Sequence, residues 1–439
     1  MSVSSCADTA ATCQPFSLPD SFWQAFVEHH WEQRPRKLSQ LFDVPIVSED
    51  ELFQAVISKP DRVKSDRFWA TESTVDGPTK YKQVPMEMFG PKATDGSLSG
   101  FFDRTAKGFK DRRFGINVHH LQLASPDVWF RFREFVHGLT SVKRQLPTLR
   151  WDIDTFFGTY EATPFGIHKD NASVFAFGLR GNRTYYAWPA DYFQEGDAAL
   201  HNPDPEVIRP HLEHAIRMDI GPGDVAYWPS SHWHVVTSDG NPSAVVQVSA
   251  YFGASVSAMV AQRVRKLLAA QLDEDFRLTF DLDSDESSGN VPDASHCLPP
   301  SLREADQRLR ALVNEGGIAR ELEKYWQRVR SADGFDPVPA ADVDARIDES
   351  ATIAVDPRFP IRWSEGNAGK LRIAVNGLIH AVPYSESIVS VLRRLNTGEL
   401  VQIGDLEEGV GSDSPAASNL HGLLDFLATA RAFQSPGDA

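Results

Sequence analysis

His168-Lys169-Asp170, read with Arg183 and with Gly221-Pro222-Gly223-Asp224-Val225-Ala226-Tyr227-Trp228-Pro229-Ser230-Ser231-His232-Trp233-His234, decides how this chain is to be understood. Residues at i and i+2 of a strand project to the same face, so His168 and Asp170 converge on one point. A later strand can bring a second histidine to it. Two imidazoles and one carboxylate on one side of an ion, with open positions opposite, suit a non-haem Fe(II) that must also hold a cosubstrate and O2. An isolated His-x-Asp is a weak signal in a chain with 14 histidines. The second segment supplies the context. Residues 221–224 read as a tight turn, because glycine accepts the positive φ that other residues resist. Residues 225–228 read as a strand, and Pro229-Ser230-Ser231 interrupts it before the histidines. Spacing alone leaves His232 and His234 as competing third ligands, since both fall on one side of an extended segment.

Arg183 is the next signal. Residues 173–180 are mostly apolar, Gly181-Asn182 is a two-residue hairpin signal, and residues 183–188 read as the returning strand. An arginine opening such a strand can reach into a barrel and clamp a carboxylate with its planar fork. The aromatic run Tyr185-Tyr186-Ala187-Trp188 reads as barrel core. In His119-His120 and His29-His30, neighbouring side chains point apart, so neither pair is expected to chelate. Asn171 is placed to orient the Asp170 carboxylate or to make a turn.

These residues carry a resemblance. The stretch 146–253 resembles the metal-binding core of the JmjC and related cupin-like 2-oxoglutarate oxygenases, and is most similar to the bacterial-type ribosomal oxygenase branch. In that family a basic residue fifteen positions after the motif's histidine binds the distal carboxylate of 2-oxoglutarate, and here that position is Arg183. The family's metal histidine stands five positions after a proline; counted from Pro229 it is His234, which selects it over His232. The resemblance implies Fe(II) held by His168, Asp170 and His234, with 2-oxoglutarate as cosubstrate. It further implies that Thr159 and Tyr160, and Ser249 on the strand 245–251, stand where hydroxyls are supplied to the cosubstrate. Residues 22–35 resemble the family's N-terminal helix and its Trp-Glu-x-x-Pro continuation. The chain departs from the family at 162–167, where Ala-Thr-Pro-Phe-Gly-Ile replaces a glycine-rich approach and alters the substrate mouth.

Composition bounds the rest. The chain has 439 residues, 41% hydrophobic and 24% charged, and a net charge of −16, which fits a folded protein of two or three domains. An acidic body disfavours general nucleic-acid binding, which needs a basic surface, and suits a basic protein or peptide partner. Cys6, Cys13 and Cys297 form neither a disulfide framework nor a zinc spacing. With no apolar leader and no bilayer-length apolar run, that points to the cytoplasm, with no membrane association. Residues 59–113, including Lys107-Gly108-Phe109-Lys110-Asp111-Arg112-Arg113, are locally basic and read as a solvated face or a segment touching substrate. The first fifteen residues, small and polar, read as disordered.

The expected architecture is mixed α+β. A double-stranded β-helix of the cupin/JmjC kind spans 16–253, a helical module with an acidic linker spans 254–345, and a winged-helix-like domain spans 351–433. Helical spacing over 256–272 is followed by an acidic segment at 273–295. A second helical stretch at 299–329 places Leu302, Leu309, Leu312, Ile318, Leu322, Tyr325 and Trp326 on one stripe expected to be buried. The resemblance implies a dimerisation module there, hence a homodimer. In 351–433 the acidic residues outnumber the basic ones, so a structural or peptide-docking role fits better than DNA reading. Three function classes follow: a protein or peptide side-chain hydroxylase, an oxygenase of a small molecule or biosynthetic peptide, and a non-catalytic metal-binding scaffold.

Overall fold

The computed structural model describes residues 16–59, 66–71, 79–109, 112–253, 255–270, 300–348, 350–366, 369–410 and 415–434. The three cysteines, the first fifteen residues and the acidic segment 273–295 lie outside the described residues. The chain divides into two compact units, one of Met1–Gly253 with Ser331–Ala439 and one of Ala254–Arg330. Among the described residues no helix is long and apolar enough to cross a membrane.

The first unit opens with helix α1 (Asp20–His29), strand β1 (Arg36–Leu38), helix α2 (Glu49–Ser58), and strands β2 (Arg67–Thr71) and β3 (Tyr81–Val84). Helices α3 (Met86–Phe89) and α4 (Leu98–Phe109), strand β4 (Phe114–Val118) and helix α5 (Pro126–Lys143) follow. Local sequence explains the helix starts. Ser48 and Glu51 form a reciprocal capping box on α2, and Ser125 caps α5 with Pro126 in its first turn, which satisfies N–H groups that have no intrahelical partner.

The long strands come next: β5 (Arg150–Gly158), β6 (Ala172–Arg180) and β7 (Arg183–Trp188), then the short helix α6 (Pro205–Ile208). Strands β8 (Ile216–Ile220), β9 (Val225–Trp228), β10 (Trp233–Ser238) and β11 (Ser243–Tyr251) complete the set. They make an eight-stranded sheet in the order β1-β9-β6-β11-β5-β4-β2-β3 and a three-stranded sheet in the order β10-β7-β8. Strand parity divides the large sheet's two faces. On β11, Ala244, Val246, Val248 and Ala250 join the aromatic core with Trp23, Phe26 and Phe135 of α1 and α5. The alternate residues Gln247, Ser249 and Tyr251 face a cavity.

Gly181-Asn182 does make a tight reversal, with Gly181 at φ +65, but not a hairpin. β6 pairs with β11 and β9, whereas β7 pairs with β10 and β8. Turn residues specify where the chain reverses, not which strand it then meets, so the turn becomes the corner between the two sheets.

The C-terminal part of this unit contains β12 (Thr352–Ile353), β13 (Arg362–Glu365), β14 (Lys370–Val375), β15 (Leu378–Pro383) and β16 (Val401–Gln402). The alternating run 371–382 is a hairpin, β14 and β15, turned at Asn376-Gly377, both at positive φ. Helices run over Glu386–Leu395, Ile403–Val410 and Pro415–Thr429. They share a core built on Ile373, Leu392, Leu423 and Leu427.

The second unit holds helices at Val256–Ala269, Pro300–Asn314 and Gly317–Ser331, the last two parted by Gly316 at φ +68. Of the stripe expected to be buried, Leu312 is a core residue, Ile318, Leu322 and Tyr325 are half-buried, and Leu302 and Trp326 are 41% and 50% exposed among the described residues. Helical spacing identifies an apolar face, but not what packs on it.

Candidate metal centre and cavity

His168 leads into β6 and meets β10 through an isolated antiparallel bridge. His168 N–H donates to the His234 carbonyl at 3.0 Å, and His234 N–H returns the bond to His168 at 2.8 Å. The bridge places the two imidazoles side by side, with ring centroids 4.3 Å apart. Asp170, two residues along from His168, brings Oδ1 to 3.7 Å from His168 Nε2 and Oδ2 to 3.5 Å from His234 Nε2. These separations are long for hydrogen bonds, and the ligand atoms of all three side chains lie within 4.8 Å of one another. That is the arrangement of donors sharing an ion rather than bonding to each other.

The protonation states suit metal binding. His168 Nδ1 lies 3.0 Å from the Gly166 carbonyl, which holds the hydrogen on Nδ1 and leaves the Nε2 lone pair facing Asp170. Burial first, then the neighbouring His168, pushes the His234 imidazole down to about 3, with Asp170 acting in the opposite sense. His234 is therefore neutral at ordinary pH and available as a ligand. Trp228 packs on one side of it, with ring centroids 5.0 Å apart, and Phe165 stands 5.3 Å from His168. His232 does not join the cluster. It sits in the turn before β10 with Nδ1 3.0 Å from Ser231 Oγ, so the extended geometry that would align it with His234 never forms.

The triad opens into a cavity of about 370 Å3 between the two sheets. One end is rich in donors. Arg183, only 3% exposed, is anchored by Nη2 to the carbonyls of Phe156 (2.7 Å) and Ser243 (3.0 Å) and by Nε to Ser243 Oγ (3.2 Å). The guanidinium lies 5.1 Å from the centre of the Tyr160 ring, and Thr163 and Trp228 line the same cavity. The Tyr160 hydroxyl, Thr163 Oγ1 and Trp228 Nε1 are buried with no hydrogen-bond partner. A buried orphan donor costs about 1–3 kcal/mol; three of them in a cavity that also holds a guanidinium fit an anionic guest that accepts hydrogen bonds.

The other end is rich in acceptors. Asp154 is fully buried, and its carboxyl is raised well above the usual range, chiefly by burial and then by Asp152. Its two oxygens meet only long bonds, from Ser249 Oγ at 3.3 Å and Gln247 Nε2 at 3.4 Å. Asn117 Oδ1, also on the cavity wall, has no partner. Asp152 is by contrast held by Gln122 Nε2 and His120 Nδ1, each at 2.8 Å.

Of the residues singled out from sequence, His168, Asp170, His234, Arg183, Tyr160 and Ser249 all line this one cavity. Thr159 does not: its Oγ1 accepts from Phe114 N–H at 3.4 Å, on the opposite side of the strand end from Tyr160. Asn171 contributes its backbone carbonyl to Phe252 N–H. The adjacent histidines diverge, His120 to Asp152 and His119 to the cavity wall. Sequence reasoning missed Asp154, Asn117, Gln247 and Trp228. The signal for Asp154 was present as two acids at i and i+2, Asp152 and Asp154, in an otherwise apolar strand.

No family model matches the sequence, and no curated protein matches it. Solved structures do align over nearly the whole chain. Escherichia coli ycfD aligns at 16% identity and a TM-score of 0.47, covering 94% of this chain and 97% of its own. A crystal structure of Escherichia coli ribosomal oxygenase YcfD gives 15%, 0.48, 92% and 97%. The same oxygenase in complex with cobalt and 2-oxoglutarate gives 16%, 0.47, 94% and 97%.

Proposed function

We propose that the chain is an Fe(II)- and 2-oxoglutarate-dependent dioxygenase that hydroxylates a C–H bond of a protein or peptide side chain. The observation that carries this reading is a single cavity lined by the His168, Asp170 and His234 cluster, by a buried arginine and by three unpartnered donors. Iron with 2-oxoglutarate and O2, when bound, supplies the oxidising chemistry, with succinate and CO2 as products.

The residues of the chain do the positioning. His168, Asp170 and His234 would hold the iron, and the cavity they line would take cosubstrate and O2. Arg183 pairs with the far carboxylate of 2-oxoglutarate. Its contacts to two main-chain carbonyls hold the fork before the ligand arrives, so little ordering remains when it binds. Tyr160 and Thr163 donate to the same carboxylate. Phe156, Phe165 and Trp69 add apolar lining, and the burial of Arg183 strengthens its pairing with an anion.

Asp154, Asn117 and Gln247 offer acceptors to a substrate group that donates hydrogen bonds, in keeping with a basic partner and the net charge of −16. The exposed apolar residues Leu302, Leu309, Val313 and Trp326 support a second copy of the chain as the partner of the helical unit. The small sheet and helices of 351–433 are read as a winged-helix-like docking module.

Succinate formation from 2-oxoglutarate, measured when O2 is admitted to anaerobically iron-loaded protein, tests the function. Wild type is expected to turn over slowly without substrate, and His234→Ala not at all. Failure of wild type to bind iron or 2-oxoglutarate would sink the oxygenase reading and leave a scaffold.

A further inference from the structure

The β6–β9 ladder ends at Val174 opposite Trp228. Beyond that point the two chains carry the metal triad, with Asp170 shortly before β6 and His234 shortly after β9. What ties them together there is a side chain from the N-terminal region. The Glu32 carboxylate accepts from Ser173 Oγ through Oε1, in a very close contact, and from Ser230 Oγ at 2.8 Å through Oε2. Ser230 N–H closes the ring by donating to Ser173 Oγ at 2.9 Å. Glu32 itself sits at φ +56, a left-handed conformation uncommon for a residue with a Cβ. Two contacts hold it so: its N–H donates to the Tyr227 hydroxyl at 2.9 Å, and the preceding Trp31 stacks on Phe175 and Tyr227.

We propose that Glu32 is a positioning residue for the metal centre, a carboxylate buckle that sets the spacing of the chain ends bearing Asp170 and His234. The β6–β9 ladder stops at Val174 and Trp228, and the next backbone pairing of the two segments is the His168–His234 bridge, so the stretch between them is held by side chains. A three-way hydrogen-bonded ring with one charged member replaces the ladder there, and charge-assisted bonds to a carboxylate are the stronger kind. Glu32 touches neither ion nor substrate; it acts through Ser173 and Ser230. The inference rests on His168, Asp170 and His234 being metal ligands.

Co(II) is the probe, its affinity followed by visible ligand-field absorption, with thermal melting of the metal-free proteins alongside. Glu32→Ala is expected to weaken Co(II) binding about tenfold, the scale on which outer partners act on metal ligands, with little change in the metal-free melting temperature. Glu32→Gln should stay within about threefold of wild type, because its amide accepts from one serine and donates to the other. Ser230→Ala, which leaves Glu32 and Ser173 in place, should fall between them and carries the test if Glu32→Ala does not fold. Unchanged affinity in Glu32→Ala, or in Ser230→Ala when that variant stands in, overturns the proposal while sparing the metal site. An equal loss in the Ala and Gln variants, or a loss matched by a fall in metal-free melting, also overturns it in favour of a purely structural role. If wild type gains no His234-dependent Co(II) spectrum, the metal reading itself fails, and this inference with it.

Discussion

Tyr160 and Arg183 sit on the same cavity wall but are held in opposite ways, and substitutions should tell them apart. The Tyr160 hydroxyl is buried without a partner, so Tyr160→Phe removes an unsatisfied group. Folding stability should stay within about 0.5 kcal/mol of wild type or rise slightly, while the KM for 2-oxoglutarate rises about fivefold, the loss of one modest hydrogen bond. Melting temperature and steady-state kinetics measure the two. Arg183 is anchored by Phe156 and Ser243. Arg183→Lys keeps the charge but loses the fork, so the 2-oxoglutarate KM should rise at least about tenfold with Co(II) affinity nearly unchanged. An unaltered KM would remove Arg183 from the cosubstrate site. At this scale the sequence was informative wherever spacing alone sufficed. It assigned Thr159 and Tyr160 alike to the cosubstrate, whereas Tyr160 lines the cavity and Thr159 does not, because that depends on which side of a strand end faces it.

Among the elements, α2 and α5 show two effects that local reading ranks wrongly. In the α2 capping box, Glu51 also pairs with Arg131 of α5. The Arg131 hydrogen bond, aided by Ser48 and opposed by partial burial, lowers the Glu51 carboxyl from 4.5 to about 2. A carboxyl lowered in the fold contributes its full stabilisation above its unfolded value and loses it as pH falls towards the folded one. The Glu51 side chain is 38% exposed, so solvent screening limits the pair to about 1 kcal/mol. Glu51→Gln, which can keep the cap, should melt lower than wild type at pH 6, and the gap should close between about pH 4.5 and 2. Gly138, inside α5, looks like a weak point that alanine would repair by up to about 1 kcal/mol of helix propensity. A Cβ there would lie 2.1 Å from Trp23 Nε1 of α1. Overpacking of that kind costs about 1–3 kcal/mol, so Gly138→Ala should lower the urea midpoint. The Gly181-Asn182 corner teaches the same lesson, since its local chemistry is right and its partner strand is set elsewhere.

For the molecule as a whole, Arg133 of α5 joins the barrel to the C-terminal elements. Its guanidinium is buried, donates to Asn376 Oδ1 at 2.5 Å and to the Ser331 carbonyl at 2.9 Å, and lies 3.9 Å from the centre of the Phe359 ring. Asn376 passes the contact on to the carbonyls of Ala430 and Arg431. Removing one member of a buried polar network leaves the others unsatisfied, at about 3–5 kcal/mol. Arg133→Ala should therefore expose the C-terminal part to limited proteolysis under conditions where wild type resists. Arg133→Met should lose less, because it keeps the packing and adds no polar group. Nothing local marks Arg133 for this role: its partners lie some two hundred residues further along the chain.

The sequence by itself determined the alternation of the long strands, the helix starts, the placing of His168 and Asp170 on one face, and the placing of Arg183 just past the Gly181-Asn182 turn. Each depends on short-range geometry: two-residue alternation, capping chemistry, or an offset along one stretch of chain. Tertiary structure alone decided that β6 and β7 part into different sheets, that Asp154 is buried at the acceptor end of the cavity, and that Glu32 closes the ends of β6 and β9. It also decided that, among the described residues, Leu302 and Trp326 of the apolar stripe are exposed while Leu312 is buried. These outcomes depend on which distant segments meet, and a periodic pattern says which face of an element seeks cover without saying what will provide it.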